Sequence, residues 1–402
     1  MDLHSGMPLW LINSGLPATY PKLRDSIKTE VVIIGGGISG ALAAHFLMEE
    51  GIPCVLVDGR TIGFGSTCSS TSLLQYELDI PLHELAEQIG IDRAQKAYTL
   101  CSMAIDTLER ISTEINFPHF EKRNSLYFAA NKKDVTFIKK EFEARKNAGF
   151  NVQLLDAVEI KNSFDFKAPM AILSEQGATT DAYLFTHALL QYNIKKGLSV
   201  FDKTTVEKIK YSKNSVQLIT DKGFNISAKY IVNATGYEIK EFIKKGIVQL
   251  HSTFAFASEQ IQSPFPVWKN KTLIWNTAEP YLYMRLTNDN RVIVGGRDET
   301  FSNSGRRDKM IDKKTRLLKN DFSKLFPKID IIPEYSWAGT FGSTKDALPY
   351  IGTYAKTPHT FYALGFGGNG ITFSVIAAEI IRDMIRGREN ENAGLFVFDR
   401  GG

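Results

Sequence analysis

Cysteine is scarce in this chain: Cys54, Cys68 and Cys101 are the only three among 402 residues. Three cannot all pair, and none stand at CxxC spacing, so neither a disulfide framework nor a zinc site is expected. That usage fits a reducing cytoplasm, with peripheral attachment at the inner face of a membrane left open. An excess of one charge is also missing. The formal net charge is only +4, and basic doublets such as Lys195-Lys196 and Arg306-Arg307 are scattered. A nucleic-acid binder concentrates such residues, so no nucleic-acid partner is expected. The opening stretch, MDLHSGMPLWLINSGLPATYPKLRDS, lacks the basic-then-apolar order of a signal peptide, and Pro8, Pro17 and Pro21 interrupt it. Seven histidines are spread along the chain without a metal-ligand cluster or a Ser/His/Asp set, so no metal is expected. His45 reads as a packed residue inside an apolar helix.

One uncharged run does exist, from Val31 to Met48, close to the ~20 residues that span a bilayer. It contains Gly35, Gly36, Gly37 and Gly40. Three consecutive glycines suit a helix badly, each costing about 1 kcal/mol relative to alanine. As strand, turn and helix the same residues fall into place, and no transmembrane segment is predicted. EVVII reads as a strand buried on both faces. GISGALAAHFLMEEG reads as a helix with small residues toward the sheet and Gly51 past its end. Between them Gly35, Gly37 and Gly40 spell GxGxxG. The first allows a tight turn, the second lets backbone N–H groups approach a pyrophosphate, and the third lets helix and strand pack closely. The helix start adds partial positive charge. IPCVLVDG supplies a second strand ending in Asp58, about 20 residues past the first glycine, where a carboxylate can accept hydrogen bonds from a ribose diol. The run is a dinucleotide cradle.

Four later stretches resemble the FAD-dependent D-amino-acid oxidase family, in its glycine oxidase, sarcosine oxidase and D-amino-acid dehydrogenase branch. They are GFGSTCSSTSLLQYE from Gly63, YIVNATGYE from Tyr230, WAGTFGSTKDALPYIG from Trp337, and ALGFGGNGITFSVIAAEIIRDMI from Ala363. The resemblance runs roughly from Thr29 to Arg386. It implies FAD contacts from Ile38 and Ser39 in the fingerprint and from Asp58, Gly59 and Arg60 after the second strand. Gly65, Ser66, Thr67, Ser70, Thr71, Ser72 and Leu73 would cross the diphosphate and ribityl chain. Main chain near Val206 would hold the adenine, and Ala234, Thr235 and Gly236 would let the backbone pass close to the cofactor. Phe366, Gly368, Asn369, Gly370, Ile371 and Thr372 would bring a helix start to the flavin pyrimidine edge, where negative charge builds on reduction.

The resemblance implies a Rossmann-like α/β FAD-binding domain built from 29–80, 150–245 and 338–390. A substrate domain, 81–149 and 246–337, would combine a helical cap with a mixed antiparallel sheet, and 1–28 would form an N-terminal extension. The cap reading rests on Leu100, Met103, Ala104, Leu108 and Ile111 at helical spacing. The wall reading rests on short strands rich in Tyr, Trp, Phe and Val between LHSTFAFASEQI and RVIVGGRDETF.

The implied reaction is oxidation of the C–N bond of an amino acid or secondary amine, by hydride transfer to flavin N5 and hydrolysis of the imine. Electrons would pass on to oxygen or to a quinone or carrier. A flavin-dependent oxidation of a C–OH substrate and a non-catalytic FAD-binding subunit remain as alternatives. The family's cations for a substrate carboxylate align with Phe341 and Thr372, and two arginines of its flavin loop align with Ser72 and Gln75. A lysine credited with the oxygen reaction aligns with Ile293. Gln75, Phe341 and Thr372 should therefore face the pocket. Arg285 and Arg297 are the candidates to clamp a carboxylate, since a guanidinium does so through two bonds. Tyr281 and Tyr283, two apart in a strand, should point inward together or not at all. A cysteine that links flavin in sarcosine oxidase has no counterpart in TFGSTKD, and Cys68 reads as packed, so the FAD should be non-covalent.

Overall fold

The computed structural model describes residues 2–241, 246–261 and 268–400. The β-branched run of the fingerprint forms the strand Val31–Ile34, all four residues buried. It pairs in parallel with Cys54–Val57 on one side and Tyr230–Asn233 on the other. Ser199–Phe201 and Thr360–Leu364 extend the parallel sheet outward, and Tyr350–Thr353 closes one edge antiparallel. One face is covered by the helices Ile38–Glu49, Ala182–Ile194 and Gly370–Ile385. The fully buried Ala41 and Ala44 let the first helix sit close to its neighbours. The other face carries a small sheet, whose Val216, Leu218 and Ile226 pack on Val32, Val55 and Val57. Burial on both faces is why these strands read as continuous apolar runs.

A nine-stranded sheet forms the second layer. Its order is His4–Gly6, Pro333–Ser343, Gln249–Ser258, Val292–Glu299, Leu282–Leu286, Leu273–Asn276, Ser125–Phe128, Met170–Ser174 and Val152–Asp156. All neighbours are antiparallel except Leu273–Asn276 and Ser125–Phe128. The helix Ile311–Leu325 covers its outer face through Leu318 and Phe322.

Three expectations about organisation change. Residues 150–174 run in the nine-stranded sheet rather than with the cofactor-binding sheet, because Met170–Ser174 pairs with Ser125–Phe128. The stretch before Thr29 is no appendage: His4–Gly6 is the sheet's edge strand, and Leu9 and Trp10 are buried. The helices Leu82–Ile89 and Ile91–Glu114 exist, but Leu100, Ala104, Leu108 and Ile111 of the second share a core with the C-terminal helix Gly370–Ile385. Met103, at the edge of that stripe, is 57% exposed. An apolar stripe fixes that a helix is covered, not by what. The expected boundary at 245 lies outside the described residues. Among the described residues no helix is long and apolar enough to cross a membrane.

Candidate active site

A cavity of about 550 Å³ runs from the carboxyl ends of the parallel strands to the inner face of the nine-stranded sheet, the usual ligand position in open α/β sheets. Its dinucleotide end is built by the fingerprint. Gly35 has φ +112°, and a Cβ there would lie 2.4 Å from the Ala234 carbonyl oxygen. A Cβ on Gly40 would lie 1.9 Å from the Gly35 carbonyl, so Gly40 sets the helix–strand packing and lies behind the cavity wall. Gly37 offers no side chain to cap the helix Ile38–Glu49, and the Ile38 N–H donates to Thr67 Oγ1 at 3.0 Å. Asp58 accepts from the N–H groups of Gly36 and Arg60 at 2.6 and 2.7 Å, and burial raises its pKa. Arg60 pairs with Glu238 across this end.

The loop after the second strand is held from outside. The Trp10 indole N–H donates to the Ser70 carbonyl at 2.6 Å, and that of Trp337 to the Ser69 carbonyl at 2.9 Å. Gly65, Ser66, Thr67, Ser70, Thr71 and Leu73 thereby line the middle of the cavity. Ser72, buried with φ +54°, does not. Opposite, the helix Gly370–Ile385 begins without a side-chain cap. Asn369 lines the cavity beside it, its Nδ2 donating to the carbonyls of Gln75 and Glu77 at 3.1 and 2.9 Å. Thr372 Oγ1 donates to the Asn369 carbonyl at 3.0 Å. Ile38, Ser39, Gly59, Val206, Thr235, Gly236, Phe366, Gly368 and Ile371 also line the cavity.

Two helix starts whose own N-cap residues, Gly37 and Asn369, make no side-chain cap therefore serve one cavity, separated by a loop of small hydroxyl residues. This arrangement fits FAD, with diphosphate at one start and an anionic ring edge at the other. Cys68, from the same loop, lies outside the lining; its thiol donates to the Gly65 carbonyl, and burial pushes it up to about 12.

The substrate end has Tyr281, Tyr283, Thr253, Asp298, Phe341 and Gln75 in its wall. Both tyrosines point inward. A Cβ on Gly295 would lie 2.3 Å from the Tyr283 ring, so that glycine makes room for the ring over the neighbouring strand. Burial lifts Asp298 to about 6, and its Oδ1 has no hydrogen-bond partner. The structure does not bring the two candidate arginines here. Arg285 is 3% exposed, donates to the Thr180 carbonyl at 3.3 Å and lies over the Trp10 ring. Arg297 makes two bonds to Asp321, each 2.7 Å. Ile293 is buried away from the cavity. His45 is buried in its helix, where desolvation lowers it to about 4.

Sequence reading missed Leu3, Tyr237, Glu238, Thr253, Asp298, Gly339 and Thr340, all in the cavity wall. Asp79, beside the turn that starts the last helix, was missed too. Asp298, just after Gly295 and Gly296 at a strand end, carried a usable signal; Leu3 carried none.

Residues 30–384 match the family described as FAD dependent oxidoreductase (DAO). A probable oxidoreductase (OrdL) of Haemophilus influenzae is 23% identical, over 94% of this chain and 87% of that protein. Gamma-glutamylputrescine oxidoreductase of Escherichia coli is 26% identical, over 92% and 86%. Among solved structures, L-proline dehydrogenase from P. horikoshii superposes with a TM-score of 0.77 at 20% identity, over 92% of this chain and 97% of that one. Glycine oxidase from Geobacillus kaustophilus also gives 0.77, at 18% identity, over 93% and 100%. The chain belongs to the DAO family of FAD-dependent oxidoreductases.

Proposed function

We propose that this enzyme oxidises the carbon–nitrogen bond of an amine or amino acid, the imine then hydrolysing to a carbonyl compound. The observation that carries it is Asp298, a carboxylate with one unpartnered oxygen that shares the cavity wall with Tyr281 and Tyr283. An ammonium entering this end can give its proton to Asp298, leaving the neutral nitrogen whose lone pair assists loss of hydride from the adjacent carbon. When bound, FAD accepts that hydride and its electron pair.

The protein's own part is positioning and exclusion of water. Tyr281 and Tyr283 form one wall, and Phe341, stacked on His251 at 5.0 Å, forms another. The uncapped N–H groups of Gly370–Ile385 would favour negative charge on a flavin held against that helix start. Oxidation of a C–OH bond would need a base for the hydroxyl proton. Among the described residues lining the cavity there is no histidine or lysine, and a carboxylate with a pKa of about 6 suits an ammonium better than an alcohol. The names of relatives, gamma-glutamylputrescine oxidoreductase, glycine oxidase and D-amino acid dehydrogenase, point the same way.

Electrons then pass to oxygen or to a quinone or carrier. A panel of amines, amino acids and hydroxyacids, assayed with an artificial dye acceptor, tests the reading. Turnover of an amine or amino acid supports it; turnover of hydroxyacids alone overturns it.

A further inference from the structure

A second cavity, about 270 Å³, opens off the substrate end and shares Gln75, Tyr281 and Gly368 with the first. Its charged lining is of one sign: Glu77, Asp79, Glu84 and Glu279, with no Lys, Arg or His among the described residues. Trp275 and Tyr127, stacked 3.8 Å apart, give it an apolar wall.

Local structure explains part of this. Glu84 lies in the first turn of the helix Leu82–Ile89, where a carboxylate is favoured. Glu77 is different. Its side chain is fully buried, Oε1 lies 3.1 Å from Arg145, and Oε2 has no hydrogen-bond partner. The same guanidinium bonds Glu141 at 2.7 Å, and Glu141 is also met by the N–H groups of Leu82 and His83 and by the His83 ring at 2.8 Å. Of the two carboxylates only Glu77, which lines the second cavity, keeps an oxygen without a partner. A buried carboxylate oxygen left unpartnered beside an open cavity favours an entering cation or hydrogen-bond donor.

We propose that the second cavity holds the distal positive charge of an elongated amine, making the preferred substrate a diamine or polyamine. This rests on the amine-oxidation reading above and names the substrate class within it. The reacting nitrogen sits at Tyr281 and Asp298, the methylene chain runs along Trp275 and Tyr127, and the far ammonium lies among the carboxylates. The first cavity agrees. Its one basic lining residue among those described is Arg60, at the dinucleotide end and paired with Glu238, so no described cation meets an α-carboxylate at the substrate end.

The test compares putrescine, butylamine and D-alanine on the FAD-loaded enzyme, by calorimetry and by the change in flavin absorbance on binding. Putrescine should bind at least about tenfold more tightly than butylamine, a difference of about 1.4 kcal/mol. In Glu84→Gln/Glu279→Gln, two partly or fully exposed positions whose change should leave the fold intact, that preference should collapse. Equal affinity for the two amines, tighter binding of D-alanine, or an undiminished preference in the variant overturns the proposal. Flavin bleaching reports separately. If putrescine binds preferentially but no amine or amino acid bleaches the flavin, the tail site stands and the oxidation reading fails.

Discussion

The Asp79 carboxylate accepts a hydrogen bond from the Gly368 N–H at 2.9 Å, at the junction of the two cavities. It clamps the turn that leads into the C-terminal helix, and the turn is shaped around it. A Cβ on Gly367 or Gly368 would lie 2.4 or 2.6 Å from its oxygens. Although open to the cavity, Asp79 is surrounded by protein, and burial raises its pKa. Asp79→Ala should lose about 1–2 kcal/mol of stability and retain FAD poorly, because a backbone donor loses its partner. Asp79→Asn keeps an acceptor oxygen and should retain most of both. Thermal unfolding and flavin retention after desalting measure this; equal losses in the two variants contradict the clamp.

Gly40→Ala should damage the fold more than Gly37→Ala. The first places a methyl 1.9 Å from a backbone carbonyl that cannot swing away, the second 2.8 Å from the movable hydroxyl of Thr67. A cost of about 1–3 kcal/mol is the scale of overpacking, and Gly40→Ala belongs at or above its top. Denaturant midpoints of the two variants check the order.

Arg285 and Arg297 should prove structural. Arg285→Met removes a buried guanidinium that donates to the Thr180 carbonyl and lies over the Trp10 ring. The loss should be about 1–3 kcal/mol, the scale for leaving a buried polar group without its partner. Arg297→Met breaks a half-exposed pair with Asp321 and should cost at most about 1 kcal/mol. Neither should change KM beyond about twofold for an amine substrate, as neither lines the cavity. A large KM rise in either, with stability unchanged, would contradict this placement.

Asp298 gives stability a pH signature. Its folded pKa, about 6, lies above the ordinary 3.8, raised chiefly by burial and further by Asp79, while Thr253 and Lys314 lower it. The folded state therefore holds this proton more tightly than the unfolded chain. The resulting stability is complete below about pH 4 and is lost as pH rises through about 6. Relative to Asp298→Asn, which cannot ionise, the wild type should lose up to ~3 kcal/mol between pH 4 and 8. A difference that does not vary with pH contradicts it.

The flavin should come away on acid precipitation, leaving a yellow supernatant. Cys54, Cys68 and Cys101 are all buried, and none lines the cavity. A yellow pellet would show a covalent bond.

Local rules made the dinucleotide half legible in the sequence. Gly35, Gly37 and Gly40 each answer a steric demand within a few residues, and Val31–Ile34 shows its two-sided burial in its own composition. The substrate half depends on contacts between distant segments. Arg285 was a candidate carboxylate clamp in the sequence, but Trp10, some 275 residues earlier, lies beneath it. Asp79 joins the site only because its loop meets Gly368. Residues 150–174 changed layers because strand pairing is set by partners elsewhere in the chain. Tyr281 and Tyr283 were readable as a pair because strand alternation is local.

The most direct test of C–N oxidation mixes the FAD-loaded enzyme without oxygen with each amine, amino acid and hydroxyacid in turn, following flavin absorbance. An amine or amino acid should bleach the flavin, with an imine-derived carbonyl product formed in equal amount. Bleaching by hydroxyacids alone, with every nitrogen compound inert, would contradict the account.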